Sequence, residues 1–278
     1  MKCAREIAEG VNGGSLDPLV VTRDALERCR QAQGRFNALT VIDEAKALAA
    51  AGALADRRGE PLPLAGVPLV VKDNIWVGGW RITQGSRYFA DFVAPCDATA
   101  VARLRAAGAV ILAIGTCSEF AAKGNTTTPL YGDTLNPLDT TLTAGGSSGG
   151  CSAIVAAGAV PIALGTDGGG SSRRPPSHCG LVGFKPSYGA VPHPHGFAEP
   201  FWGPSALSPI TRDVADAALM FEVIAGPDPL DPDSRHLAPQ RDEPVAGLRL
   251  AQHPTLGLDV PVDADVAAAY EAAIDALM

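Results

Sequence analysis

Two glycine–serine segments, each beside an apolar run, constrain this chain more than any other feature. The first is Gly145-Gly146-Ser147-Ser148-Gly149-Gly150; the second is Gly165-Thr166-Asp167-Gly168-Gly169-Gly170-Ser171-Ser172-Arg173. The glycines before Ser171 free the backbone to curl until several N–H groups face one point, a nest suited to an oxyanion. A serine at the end of such a nest is placed as a nucleophile. Taken alone, either segment reads as a flexible turn or linker. A linker, however, does not normally sit between an apolar strand and the corner Arg173-Arg174-Pro175-Pro176.

The third element is Lys72, which ends the apolar run Val67-Pro68-Leu69-Val70-Val71. A lysine at the end of a buried strand loses hydration, which lowers its pKa and lets the neutral amine act as a base. Ser147, between the lysine and the nucleophile, can accept one proton and pass on another. Ser–Lys pairs are an established variant of the triad logic and need no histidine. An ordinary ion pair with Asp73 is the plain alternative for the lysine. Asp167 and Arg173 bracket the nucleophile loop and read as braces: Asp167 anchoring loop N–H groups, Arg173 pairing with a carboxylate.

Rival chemistries fit less well. Gly145 to Gly149 formally matches the GxSxG nucleophile elbow, but the preceding Thr140-Thr141-Leu142-Thr143-Ala144 is a weak strand. The histidines such an elbow needs, His236 and His253, lie in polar or proline-rich surroundings. No phosphate-binding GxxxxGK[ST] or GxGxxG occurs. His193-Pro194-His195 has no third ligand nearby and reads as a loop at a substrate mouth or as plain surface.

Bulk properties fit a globular enzyme. With 46% hydrophobic and 19% charged residues, the 278-residue chain can bury a sizeable core. Its net charge of −8 argues against nucleic-acid or anionic-membrane partners. Six dispersed cysteines form no CxxC pair and read as free thiols, so no metal site is expected. With no apolar leader and no membrane span, a cytoplasmic location is expected.

Helices are expected over 22–33 (capped by Thr22, stopped by Gly34), 43–58, 97–107 (capped by Asp97), 149–157, 211–224 and 264–277. Strands are expected over 67–71, 109–114, 162–164, 180–185 and 248–251, with a polar, proline-rich connection over 227–244. Helix followed by apolar strand is α/β grammar. No boundary splits the chain into two domains.

These motifs resemble those of the amidase signature family. Gly145 to Pro175 carries that signature nearly position by position. Gly66 to Asn74, Glu119-Phe120-Ala121, Asn136-Pro137 and Cys179 to Gly189 support it. The similarity is clearest over residues 5–235 and is taken to span 1–278. It implies a single α/β/α domain with a large mixed sheet flanked by helices. It also implies an amidase that hydrolyses a small-molecule amide through a seryl acyl-enzyme, releasing ammonia or an amine, with no metal or organic cofactor. The catalytic set is Lys72, Ser147 and Ser171, with Ser147 in a cis peptide after Gly146. The oxyanion hole is formed by the N–H groups of Gly168, Gly169, Gly170 and Ser171, supported by Ser148, Thr166, Asp167 and Arg173.

This chain departs from the family pattern in places. Gly168 replaces a threonine-like residue and Ser172 an aliphatic one, which predicts a floppier, hydrated loop. Arg174, Pro176 and the segment Ile114 to Cys117 are also unusual. Family members normally continue well past residue 278, so the fold is expected to be incomplete, with exposed edges able to pair, as in a homodimer. Two further readings are the glutaminase (A) subunit of a tRNA-dependent amidotransferase and a truncated non-catalytic remnant. Ser205-Ala206-Leu207-Ser208, standing where that glutaminase has Ser-Leu-Asp-Gln, weighs against the former.

Overall fold

The computed structural model describes residues 1–57, 59–198, 203–236, 247, 249 and 251–278. They fall into two compact units, 1–237 and 238–278.

In the first unit, α1 (Ala4–Asn12) and α2 (Pro18–Phe36) precede β1 (Leu39–Ile42) and α3 (Glu44–Ala53). Next come β2 (Pro68–Lys72), α4 (Thr99–Ala106) and β3 (Val110–Gly115). A two-residue pair, β4 (Thr127–Thr128) and β5 (Gly132–Asp133), leads to α5 (Gly149–Ala156) and β6 (Ile162–Asp167). The unit closes with α6 (Arg174–His178), β7 (Val182–Gly183), β8 (Ala206–Thr211) and α7 (Val214–Ile224). The second unit contains α8 (Ala264–Leu277), whose first turn is capped by Asp263 accepting from the Asp265 N–H at 3.0 Å.

Six strands form one mixed sheet in the order β1-β3-β2-β6-β8-β7. Its centre, β3-β2-β6, is parallel, while β1 and β8 run antiparallel to their neighbours. The central strands are unbroken apolar runs because both their faces are covered. Leu69, Val71, Ile162 and Leu164 pack on one side with Ile7 of α1, Leu104 of α4 and Met220 of α7. Val70, Leu112 and Ala163 pack on the other with Leu26 of α2, Ala47 of α3 and Ile154 of α5. Alternate side chains of each strand thus enter opposite cores, and the expected α/β architecture with a mixed sheet between helices is what the chain forms.

Element boundaries shift where packing outweighs local signals. α2 starts at Pro18, with Asp17 capping the Leu19 N–H at 2.8 Å, and runs through Gly34 to a left-handed Asn37. Thr22, expected as its cap, is a buried interior residue. Asp97 does not cap α4; it accepts from the Gly78 N–H at 2.7 Å and pairs with Arg105 at 2.9 Å. The strand expected over 180–185 contracts to Val182–Gly183. The expected strand over 248–251 and the later part of the polar connection lie largely outside the described residues. All six cysteines are free thiols, and among the described residues no helix is long and apolar enough to cross a membrane.

Candidate active site

Parallel pairing of β2 with β6 sets the geometry. Val71 lies opposite Leu164, so Lys72 and Thr166 emerge together at the carboxyl ends of adjacent strands, where open α/β sheets commonly place ligands. Lys72 is wholly buried. Its Nζ lies 2.7 Å from Ser147 Oγ, 2.8 Å from Thr166 Oγ1 and 3.3 Å from the Thr166 carbonyl oxygen. Burial without a paired carboxylate disfavours the ammonium and lowers the Lys72 pKa to about 8. The alternative ion pair with Asp73 is not formed: the Asp73 carboxylate is turned to Thr83 and Gly85. A neutral amine has two N–H groups and one lone pair. The two Thr166 oxygens suit the N–H groups, which leaves the lone pair for the Ser147 hydroxyl. Asn74 Nδ2 donates to Thr166 Oγ1 at 3.0 Å and steadies it.

Ser147 arrives on the lead-in to α5. The Gly146–Ser147 peptide is cis. A Cβ on Gly146 would lie 2.6 Å from backbone atoms of Asn125, so no side chain fits there. Thr126 secures the segment: its Oγ1 donates to the Gly145 carbonyl at 2.9 Å and accepts from the Gly149 N–H at 3.0 Å. Ser148 Oγ donates to the Thr166 carbonyl at 3.3 Å, and its N–H to the Ser171 carbonyl at 3.3 Å. The two glycine–serine segments are thereby stitched together.

Asp167 braces the nucleophile loop. Its carboxylate accepts the N–H groups of Gly170 at 2.7 Å and Ser172 at 3.1 Å, and two Arg173 N–H groups at 2.9 Å each. This pairing lowers the Asp167 pKa against the opposing effect of burial, which is the largest single contribution. The same bond corrects one expectation: the Gly170 N–H is committed to the brace and not to an oxyanion. Gly168, Gly169 and Ser171 remain as the expected donors. These bonds pin the loop at Gly170, Ser172 and Arg173, and Ser172 is wholly buried, its hydroxyl without a partner among the described residues.

Ser171 and Ser147 line one cavity of about 340 Å³ with Asn74, Gln84, Phe120 and Leu207. The Ser171 hydroxyl is hydrogen-bonded to nothing among the described residues, so the link from Ser147 to Ser171 is not closed here. His193, Pro194, Gly196 and Phe197 form part of the wall. Neither catalytic-candidate serine bonds a histidine, and Thr140 to Ala144 forms no strand, only an isolated bridge at Thr143. Among the described residues, one group has metal-ligand chemistry, Cys3, Asp213 and Asp216, where the start of α1 meets the start of α7. There Asp216 is occupied, accepting the Ala4 N–H at 2.7 Å and the Arg5 N–H at 3.2 Å.

Sequence reasoning did not single out Thr126, met Asn74 and Phe120 only inside motifs and Asp73 only as a possible ion-pair partner, and did not foresee that aromatic rings would cluster at the wall. Phe197 packs against Trp76, Phe89 and Phe92 at centroid distances of 5.0–5.8 Å, and Phe89 reaches Phe120 at 6.3 Å. Those rings come from four separated segments, and no spacing pattern joins them.

Proteins of known sequence and structure resemble the chain as a whole. The model of the Amidase family matches residues 20–278. The A subunit of glutamyl-tRNA(Gln) amidotransferase from Deinococcus radiodurans is 42% identical, over 99% of this chain and 57% of that protein. The solved structure of a bacterial aryl acylamidase of the amidase signature family is 36% identical with a TM-score of 0.79, covering 85% of this chain and 50% of that one. 6-Aminohexanoate cyclic dimer hydrolase complexed with substrate is 28% identical with a TM-score of 0.83, covering 99% and 58%. The chain spans about half the length of the curated relatives it matches.

Proposed function

This chain belongs to the Amidase family, and from that membership we propose that it hydrolyses a carboxylic amide through an acyl-enzyme on Ser171. The observation that carries the proposal is the buried Lys72–Ser147 contact of 2.7 Å, with the lysine pKa lowered to about 8. Ser171 Oγ attacks the amide carbon while its proton passes to Ser147 Oγ, and the Ser147 proton passes to Lys72 Nζ. The N–H groups of Gly168, Gly169 and Ser171 receive the developing oxyanion, a type of contact worth roughly 2.7–4 kcal/mol per donor. Lys72 then returns its proton through Ser147 to the departing nitrogen, the C–N bond breaks, and ammonia or an amine leaves. Water, giving its proton through Ser147 to Lys72, attacks the ester; the bond to Ser171 Oγ breaks, Ser171 takes that proton back and the carboxylic acid leaves.

Two specific forms of this reading compete: a free-standing amidase, and the glutamine-hydrolysing component of a tRNA-dependent amidotransferase. The amidotransferase reading has the better support, because a relative of that name matches at 42% identity across nearly the whole of this chain. Ser205-Ala206-Leu207-Ser208 is the feature that speaks for the free-standing form.

A fluorophosphonate mapped by peptide mass spectrometry tests the shared chemistry: label on Ser171 is expected, and label on Ser147 or nowhere overturns it. Ammonia release from glutamine, raised by partner subunits, selects the amidotransferase form. Hydrolysis of simple amides without them selects the other. Labelling also separates both from a non-catalytic remnant.

A further inference from the structure

Among the described residues, five that are not glycine adopt left-handed backbone conformations, and three of them, Gln84 (φ 53°), Phe120 (φ 53°) and Ala121 (φ 57°), line the Ser171 cavity. Such residues persist where the surroundings over-determine them, and they gather at ligand clamps. The surroundings here are specific. The buried Asp73 carboxylate accepts the N–H groups of Thr83 at 2.8 Å and Gly85 at 3.2 Å, together with the Thr83 hydroxyl. The Asp73 carbonyl accepts the Gln84 N–H at 2.8 Å, and the Gln84 carbonyl accepts the Phe120 N–H at 2.9 Å. Gly85 is pressed so closely onto Cys117 that a Cβ would lie 2.7 Å from its carbonyl oxygen. Both neighbours of Gln84 and both of its backbone polar groups are therefore held.

Its side chain is not held. Most polar groups around the cavity are engaged: Asn74 with Thr166, Tyr188 with Asp233, and Asp231 with the N–H groups of His193 and Asp233. The Gln84 carboxamide hydrogen-bonds nothing among the described residues. It faces a cavity whose described lining contains no arginine or lysine and whose apolar part is Phe120, Val191, Phe197 and Leu207. A carboxamide presents one acceptor and two donors, and its two-point complement is another uncharged carboxamide.

We propose that Gln84 is a specificity-determining residue that hydrogen-bonds a second, uncharged carboxamide on the substrate, held in place for that task by the Asp73 clamp. This rests on the acyl-enzyme reading above. The substrate class is then a diamide, one amide attacked by Ser171 and the other gripped at the wall.

Two amides of the same size and shape test the idea: glutaramide, and 5-methylhexanamide, in which an isopropyl group replaces the second carboxamide. The full chain is expected to favour glutaramide in kcat/KM by about tenfold, the worth of one neutral hydrogen bond or slightly more. Gln84→Met keeps length and removes both hydrogen-bonding functions; it is expected to erase that preference, mainly through KM. Gln84→Glu is expected to turn the preference toward 5-aminopentanamide, whose tail is an ammonium. Thermal melts confirm that each variant folds, and either variant alone decides the matter. If fluorophosphonate labels Ser171 but wild type turns over neither amide, or both equally, or the variants leave the ratio unmoved, the Gln84 role is overturned and the acyl-enzyme stands. If Ser171 is not labelled, both fall.

Discussion

Beneath the floor of the cavity, Lys72 hydrogen-bonds both Ser147 and Thr166, and Lys72 and Ser147 are wholly buried; Gln84, Phe120 and Phe197 on its wall are partly exposed and held by backbone bonds and ring packing. Lys72 and Thr166 sit at strand ends and Ser147 on the lead-in to α5, and these groups have almost no freedom to move without unpairing a buried polar atom. The wall is assembled from loops that can be re-cut without disturbing the sheet. Reactivity thus resides in the rigid region and selectivity in the adjustable one. Each region predicts its own kind of mutational outcome.

The largest effect is expected on the floor. Ser171→Ala removes the nucleophile and Lys72→Met the base, and each lowers kcat by roughly 10³-fold or more, since groups that act as a unit fail together. Lys72→Met also removes a desolvated amine from the core, so its melting temperature is expected to hold or rise while activity vanishes. Calorimetry paired with an amine-release assay checks this. A variant that melts well below wild type would show the floor to be structural, and the contrast with the wall would collapse.

Next is the brace beneath the nucleophile. Asp167→Asn keeps the shape but loses the charge that gathers two N–H groups and Arg173. Arg173 is half exposed and can turn to water, so the expected loss is about 3 kcal/mol in urea unfolding, the scale of one or two charge-assisted hydrogen bonds. Hydrolysis should fall as well, because the freed Gly170 N–H and the loop carrying Ser171 lose their register.

How far these regions could be read beforehand follows from how each is encoded. The floor was legible because Ser147 and Ser171 lie in glycine-rich segments that resemble a known signature, and because Lys72 ends an apolar strand, which fixes where its side chain stands. The parallel core was legible for the same reason. β1 and β8, which make the sheet mixed, were not. β1 is a four-residue strand between Asn37 and Asp43, and β8 carries Pro209 and two polar residues in an otherwise apolar run; both owe their conformation to pairing with β3 and β6. The wall was the least legible. Nothing in Thr83-Gln84-Gly85 or Glu119-Phe120-Ala121 marks a left-handed backbone, and the ring cluster forms only after residues 76, 89, 92, 120 and 197 are brought together.

A smaller, graded effect comes from pH. Only the neutral Lys72 amine can take the Ser147 proton, and its pKa is lowered to about 8. The kcat/KM profile should therefore rise about tenfold per pH unit below 8 and level off above it. Stability should move the same way over a different range. The folded lysine gives up its proton near 8 and the unfolded one near 10.5, so the unfolded state binds more protons between these values and stability grows as pH rises through them. A profile flat below 8 would mean that Lys72 is not the titrating base.

The smallest effect expected is at the wall, and it tests whether that region is held under strain. Ala121 has φ 57°, where an L-residue with a Cβ costs about 1–2 kcal/mol. Ala121→Gly removes that cost but loses about 0.5–1 kcal/mol through the greater freedom of glycine in the unfolded chain. The difference is a gain of roughly 0.5 kcal/mol, a rise of about 1–2 °C in melting temperature for a domain of this size. The same glycine lets the Phe120–Ala121 segment relax away from its left-handed pose, so KM should rise while kcat holds. A variant that is both more stable and poorer at binding would show that the wall keeps its shape at the expense of stability. A less stable one would mean that contacts made by the Ala121 methyl outweigh the backbone strain.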